Sequence, residues 1–518
     1  MTRFLSLVGM VLCGLTLGAC SREQADSKST LPVVKVSLRE PLSALFEQPK
    51  AGERKRWVKA RYEDLNGADQ KGAVALRGFS AWHHGRNKPS VRIKAKGKKR
   101  TGPKTIELSR PEDPLAICNW LPDQLGAELG LMHEHSSAVR LLLNGRDFGV
   151  YMRSVRPGND LCDAEGRPRG TFLKGDCLGD SRHFDLWTNH AAWDRNGEED
   201  PDAIVALHEL LTVLGQAPDA GSLQRLGAVF DLEKAARAQA VASLVASIHA
   251  DRVHNHVLFY DAASRRLEPL LWDANGFGIH AEPELAVDVA RHPLAERLLC
   301  HPEFVHRRNE VLWDLLRGSG SAKQLVAAVD QRLAELDAAF VTDPEIARLV
   351  LRRGVFEAEA LSYEELPDAR AAFVTFVERR EAHLGNWFDD ARVACEPLAD
   401  NPDHSVVTVF GVVAVAMSRR DGQPLTGPDG RDASLLWPGI TAELTDDRQH
   451  RAADGRGVSA PHGKPAALRY VVACPVDQLQ ARNAFTAREV TPSPAPESVA
   501  VRSVHPWQSA SATPATPR

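Results

Sequence analysis

The 518-residue chain contains no CxxC pair, and none of its eight cysteines stands at metal-ligand spacing. That argues against a zinc module built on thiolates. The chain also lacks the GxSxG elbow of serine hydrolases, the P-loop and the GxGxxG dinucleotide fingerprint. Serine hydrolases and Rossmann enzymes therefore have little support. No internal repeat is present, and after the N-terminal segment no apolar run is long enough to span a membrane. An excess of one charge is missing too: a net charge of −4 at this length suggests no nucleic-acid partner. What remains is ordinary globular composition, 43% hydrophobic and 25% charged, in a chain long enough for two or more domains.

The N-terminus, "MTRFLSLVGMVLCGLTLGACS", has Arg3, an apolar stretch from Phe4 to Leu17, and then small residues. It is short for a membrane-spanning helix and reads as a secretory signal. "LGAC" resembles the lipobox of bacterial lipoproteins, which implies a signal over 1–19 and lipidation at Cys20. Ser21 in place of Asp would favour the outer membrane. The expected location is the cell envelope, with the membrane reached through a lipid anchor only. An ordinary signal peptide with a chance cysteine is the plainer alternative. Export makes the remaining cysteines candidates for disulfides. Cys162 and Cys177 could close one loop, and Cys395 with Cys474 could form a second bridge, although spacing does not fix the pairing.

Residues 20–34 read as a polar tether. From 31 to 115, "VVKVSL", "WVKARYE", "AVALRGFS" and "VRIKAK" alternate as strands do. Residues 118–131 have helical spacing and end at a glycine. "AVRLLLNGRDFGVYMRSV" reads as a hairpin around Asn144-Gly145. Helical periodicity marks 202–216 and 231–250, the latter with Asp231 as N-cap. "NHVLFYDAASRRLEPLLWD" forms another strand–turn–strand unit, and 295–390 is largely helical. The fold class is α+β, with a core over 35–395. A small β-rich domain follows over 396–489, and 490–518 has the composition of a disordered tail.

The segment 85–104 is rich in Lys and Arg and has no acid. Such a run usually solvates an edge strand or loop; its functional reading is an anion-binding face. In "HADRVHNHVLFYD", Asp251 is followed four residues later by Asn255, and Asp273 comes two strands on. Phosphoryl transfer needs one carboxylate for the accepting hydroxyl, and another, with an amide oxygen, to hold magnesium. Helix capping explains the same Asp-to-Asn spacing.

Five segments in order resemble one family. "LRGFSAWHHGRNKPSVRIKAK" is similar to "RGNSS…KKPYRIK", and "VRLLLNGRDFGVYM" to "lyLNGxyxGxY". "FLKGD" looks like "LYKGD", "DRVHNHVLFYD" like "DxxxHNxxLY", and "LLWDANGFG" like "PWDLDxxFG". The resemblance is to the CotH kinase family, relatives of a spore-coat kinase, and covers roughly 35–390. It implies a divergent protein-kinase-like core with a helical C-terminal lobe, using ATP with Mg²⁺ or Mn²⁺. The implied acceptors are Ser or Thr hydroxyls of an exported or envelope protein. Carried over, Asp251 is the catalytic carboxylate, and Asp273, Asn255 and Asn275 are metal ligands. Arg77, Arg92, Lys94 and Lys174 contact phosphates, with Lys94 preferred within the basic strand. Gly276 and Gly278 would let the backbone approach the phosphate closely.

The chain departs from the pattern twice. Relatives carry a glutamate soon after the hairpin tyrosine, whereas "YMRSVRP" offers Ser154 and Val155. Where relatives read "WDLD", this chain has Asn275, which supplies no charge for magnesium. The alternative is therefore an inactive kinase-like lipoprotein in envelope binding or assembly. Paired histidines such as His133 and His135 do not share a helical face and read as part of a helix-to-strand connection. His254 and His256 could line the site, although a lone histidine is more often structural.

Overall fold

The computed structural model describes residues 31–47, 55–65, 67–78, 81–97, 102–175, 186–219, 221–279, 281–352, 355–441, 464–495 and 501–503. The N-terminal segment expected to be a signal, Cys20 and Cys177 lie outside these residues. Among the described residues, no helix is long and apolar enough to cross a membrane.

The N-terminal part builds β1 (Val33–Leu38), β2 (Val58–Glu63), β3 (Asp69–Leu76), β4 (Val91–Ala95) and β5 (Thr105–Ser109). After α1 (Trp120–Glu128) come β6 (Ser137–Leu143) and β7 (Arg146–Val155). These strands close into a barrel in the order β1-β2-β3-β4-β5-β7-β6, sealed by parallel pairing of β1 with β6. Period-two alternation explains its filling: Val34, Val36, Val58, Val74, Val91, Ile93, Ile106 and Leu141 share its apolar core. Truncating one of these, such as Ile93→Ala, would cost about 2–5 kcal/mol. The same alternation puts Arg92 and Lys94 outside. The β6–β7 turn has Asn144 at φ 53 and Gly145 at φ 76, the left-handed pair that the Asn-Gly signal predicts.

The chain continues through α2 (Asn159–Ala164), β8 (Thr171–Gly175), β9 (Trp193–Gly197), α3 (Pro201–Gly215), α4 (Ser222–Val229) and α5 (Leu232–Leu244). β10 (His256–Asp261) and β11 (Arg266–Pro269) follow. The sheet order is β11-β10-β8-β9, and α3 to α5 cover one face through Leu207, Leu210, Leu226 and Ala236. Asp231 caps α5 by accepting from the Lys234 N–H at 3.0 Å. The helix stops six residues short of the expected end at 250. Ala246 takes a left-handed φ of 55, and the Ser247 N–H reaches back to the Ala242 carbonyl at 2.9 Å, a Schellman closure. That early stop frees residues 245–255 to form a loop beside β10.

Four helices follow: α6 (Pro293–Leu299), α7 (Pro302–Arg317), α8 (Ala322–Phe340) and, after a hairpin, α9 (Leu366–Asp389). The hairpin, β12 (Ile346–Arg352) with β13 (Val355–Leu361), interrupts a region expected to be largely helical. Then come β14 (Val393–Leu398), β15 (Asn401–Val409), β16 (Val415–Arg419), β17 (Leu435–Leu436) and β18 (Gly439–Thr441). β19 (Lys464–Val472), β20 (Leu479–Asn483) and β21 (Val501–Ser503) complete the chain. They form a sheet β14-β15-β19-β18, with β21 on β19, and a second sheet β17-β16-β20. β21 lies within the segment expected to be a structureless tail. Leu384 and Phe388 of α9 share one core with Val393, Val407 and Val415, so the apolar interior runs from the helices into these sheets.

The expected bridge between Cys395 and Cys474 is absent, since both are free thiols. β15 explains this. Cys395 on β14 pairs with Val407 of β15, and Cys474 lies just past β19 on the far side of β15. Two strand spacings, roughly 9–10 Å, exceed the ~7 Å limit for a disulfide. Cys162 is also a free thiol, and its expected partner Cys177 lies outside the described residues.

Candidate active site

The β10–β11 hairpin delivers residues 271–273 to the α1–β6 connection. The Leu271 N–H bonds the Met132 carbonyl at 2.8 Å, and Leu271 bridges His133. Asp273 follows with a left-handed φ of 50. Its N–H donates to Glu134 Oε1 at 2.5 Å, and its Oδ1 accepts from the Asn119 amide at 3.3 Å. Burial would push the Asp273 carboxyl up, but His249 and Arg77 hold it below its ordinary value. Gly276 serves packing here: an added Cβ would meet Val245 at 2.6 Å. Gly278, at φ 91, would bring its Cβ against Phe376. The close approach at these glycines is thus to protein, at the end of α5 and on α9.

The loop before β10 is organised by its own carboxylate. Asp251 Oδ1 accepts from the Val253 N–H at 2.8 Å, the His254 N–H at 3.0 Å and His254 Nδ1 at 2.7 Å. Burial opposes its ionisation, yet these bonds and the His254 charge bring its pKa down to about 2. His256 Nε2 holds the Asp251 carbonyl. Asn255, at φ 65, donates its side-chain amide to the His249 carbonyl at 3.2 Å. His249 Nδ1 lies 2.9 Å from the Asp273 carbonyl and 3.4 Å from its carboxylate. Its ring meets His254 edge-on with centroids 5.4 Å apart. The two aspartates singled out from sequence are therefore joined through His254 and His249.

Asn275 is fully buried, and its amide nitrogen faces Glu112 and, at 3.2 Å, His249 Nδ1. Its oxygen accepts from the Cys118 thiol at 3.6 Å. The residue is a crossbar between segments instead of an open ligand. Burial and the nearby Asp273 raise Glu112 to about 8, and the same two causes raise Glu134. A cavity of about 20 Å³ lies among Arg77, Glu112, Cys118, Asn119 and Glu134. Asn119 Oδ1, on its wall, is buried without a hydrogen-bond partner. A second, larger cavity of about 180 Å³ runs between α5 and the β10–β11 hairpin, reaching Asn255, Asp273 and His292.

The basic side of the site comes from the barrel. Arg77 Nε and Arg92 Nε each donate at 2.6 Å to one oxygen of Glu107. Burial opposes its charge, but these guanidiniums hold Glu107 well below the usual carboxylate range. Arg156 and Lys55 stand in the same field, and burial together with Arg92 lowers Lys55 to about 8. Four cationic side chains thus surround one carboxylate. Arg77 also faces Glu134 and Asp273, linking the basic cluster to the acidic one. Lys174, on β8, lies over the Trp272 ring at 5.6 Å, one residue before Asp273. Lys94 is exposed and has no ion pair with an acid among the described residues, so Arg92 holds the inner position on that strand.

Sequence reading did not find Glu107, Glu112, Asn119, Glu134 or His249. Glu107 had a signal only in hindsight of the register: on β5 it stands opposite both Arg92 of β4 and Ser154 of β7. Ser154 is at the position where an acid was expected and missing. The charge is supplied one strand away.

The donor set suits a hard, oxygen-ligated cation: Asp273, Glu134 and the unpartnered Asn119 oxygen, with Glu112 nearby. Among the described residues these carboxylates do not converge on one point as a closed cage. Magnesium commonly takes one or two carboxylates and leaves its other positions to phosphate and water. Arginines facing such a cluster across a barrel–helix junction place positive charge beside buried carboxylates, an arrangement complementary to an anion bound with a cation. A family described as CotH kinase protein matches residues 84–384, more than half of the chain. The chain belongs to that family, and the membership suggests a kinase-like protein consistent with ATP and divalent-metal use. No curated protein matches it.

Proposed function

We propose that the protein is a lipid-anchored kinase of the cell envelope, with a divergent protein-kinase-like core. It transfers the γ-phosphoryl group of ATP to Ser or Thr hydroxyls of an exported protein. The observation that carries this reading is the junction at Arg77, where a surplus of cations on the barrel meets the buried carboxylates around Asp273. Arg77 and Arg92, oriented by Glu107, bind the phosphate oxygens. Lys174 extends this field beside Trp272. Asp273, Glu134 and Asn119 would hold a magnesium or manganese ion, which supplies charge neutralisation of the phosphates when bound. Asp251, ionised down to a pKa of about 2, is too weak a base to remove a hydroxyl proton early. It orients the accepting hydroxyl and takes its proton late, as the new O–P bond forms and the bond from the γ-phosphorus to the departing ADP oxygen breaks. Anchoring is through lipid on Cys20, in the outer membrane.

A second reading, an inactive member acting in envelope binding or assembly, is favoured by one observation. The Asp251 oxygen Oδ1 is already shared by three donors of its own loop. Calorimetric titration of ATP with Mg²⁺ or Mn²⁺ into the soluble chain beginning at Ser21, beside Asp273→Ala, separates the two. The kinase reading expects metal-dependent binding that the variant loses. Absence of binding by the folded wild type with either metal leaves the assembly lipoprotein.

A further inference from the structure

The segment that presents Glu134 to Asp273 carries a second constellation on its flanking residues. His133 Nδ1 lies 3.3 Å and His135 Nε2 3.0 Å from the same oxygen, Glu165 Oε1, at the C-terminal end of α2. The two imidazoles stack with centroids 4.2 Å apart. One ligand atom from each of the three residues lies within 4.8 Å of the other two, a convergence no other His, Cys, Asp or Glu group reaches among the described residues. His135 adopts a left-handed φ of 54 to reach this position, a strain of about 1–3 kcal/mol that structures retain where something over-determines it. His133 is buried and Glu165 half-buried, while His135 is partly open to solvent.

We infer that His133, His135 and Glu165 form a binding site for a divalent transition-metal ion, with zinc the best match. Two imidazoles and one carboxylate are a ligand set zinc takes at sites that keep a fourth position open. The site differs in chemistry from the oxygen-rich cluster at Asp273, since nitrogen donors select against magnesium. Glu134, between the two histidines, goes to Asp273 instead. A metal here would tie α2 to the segment that holds Glu134 and so stiffen the support of Asp273. Its ligands are distinct from those proposed for phosphate, so the inference stands whether or not the protein is a kinase.

The test is titration of the chelator-treated protein with Zn²⁺, and with Co²⁺ as a spectroscopic probe, in excess Mg²⁺ to fill the oxygen-ligand site. Wild type should take up one equivalent, show the ligand-field absorption of nitrogen-bound Co²⁺, and melt at higher temperature with Zn²⁺. Outer-shell changes already cost about 10–100-fold in metal affinity, so His135→Gln, which keeps an amide donor for Glu165, should lose more than about 100-fold. Asp273→Ala should bind zinc as wild type does. Unfolding of each metal-free variant is followed in parallel, and Glu165→Gln replaces His135→Gln if that variant does not fold. No uptake of either ion by wild type, or equal affinity in a folded ligand variant, overturns the site.

Discussion

The N–H of Asp273 donates to the carboxylate of Glu134 at 2.5 Å, so the residue proposed as chief metal ligand is held by another acid. The Asp273 charge also acts on Glu134 and raises its pKa, so the two buried carboxylates repel unless a cation or proton intervenes. Glu134→Gln keeps an oxygen acceptor for the Asp273 N–H and removes the charge. Its stability should change by no more than about 1 kcal/mol, whereas Glu134→Ala should cost about 1–3 kcal/mol by leaving that N–H unpaired. Both should weaken metal-dependent ATP binding. Urea denaturation alongside calorimetry checks the pair. A Gln variant that binds ATP and Mg²⁺ as wild type does would reduce Glu134 to an anchor for the turn.

Glu112 supplies a pH signature. Burial, and then Asp273, raise it from 4.5 to about 8, so near neutrality the folded protein keeps a proton that the unfolded chain has lost. The sign follows: Glu112 lowers stability as pH rises from about 4.5 to about 8. A cation beside Asp273 offsets the repulsion and expels that proton. Mg²⁺ binding should therefore strengthen with rising pH and release protons, measurable by titration in buffers of different ionisation enthalpy. Glu112→Gln should abolish most of the release. Unchanged release in that variant would assign the proton elsewhere.

Glu107 holds Arg77 and Arg92 together, and removing its charge takes the shared ion-pair partner from both guanidiniums beside Arg156 and Lys55. Glu107→Gln should cost about 3–5 kcal/mol, the usual penalty for breaking one side of a buried ion pair. Ser154 stands directly opposite Glu107 in register, so its side chain shares that face. Adding Ser154→Glu to Glu107→Gln should recover a large part of the loss, because it returns a carboxylate to the same cations from the adjacent strand. Thermal unfolding of the single and double variants measures this. If the double variant is no more stable than Glu107→Gln, the two positions are not interchangeable.

These residues also show what the sequence could reveal. The barrel strands were legible because one face of each is apolar at period two, and that alone places Arg92 outside. The Asp231 cap and the Asn144-Gly145 turn were legible because each is a local signal. Glu107 was not, since a single acid in "TIELS" looks like a solvated side chain until β4 and β7 flank it. Glu112, Glu134 and Glu165 matter through partners brought close only by tertiary packing. His133 and His135 lie in the helix-to-strand connection that the sequence indicates, but nothing local shows that Glu165 approaches both. The length of α5 was overestimated because its apolar spacing continues past Ala246, where a tertiary contact from Val245 to Phe277 and the Schellman closure end it.

The family hairpin glycine, Gly149, answers to a residue nearly two hundred positions away. Asp343, just after α8, accepts from the Val150 N–H at 2.8 Å and pairs with the buried Lys88 ammonium at 2.6 Å. Gly149 has a φ of 79, and a Cβ there would collide with the Asp343 carboxylate. Gly149→Ala therefore carries both left-handed strain and a clash that pushes Asp343 off Lys88. Breaking such a buried pair costs about 3–5 kcal/mol, so the variant should lose at least about 3 kcal/mol in urea denaturation. Asp343→Ala relieves the clash but leaves Lys88 unpaired. The double variant Gly149→Ala/Asp343→Ala should consequently be no less stable than Asp343→Ala by more than the strain itself, about 1–2 kcal/mol. Additive losses would mean that Gly149 is required for a reason other than its approach to Asp343.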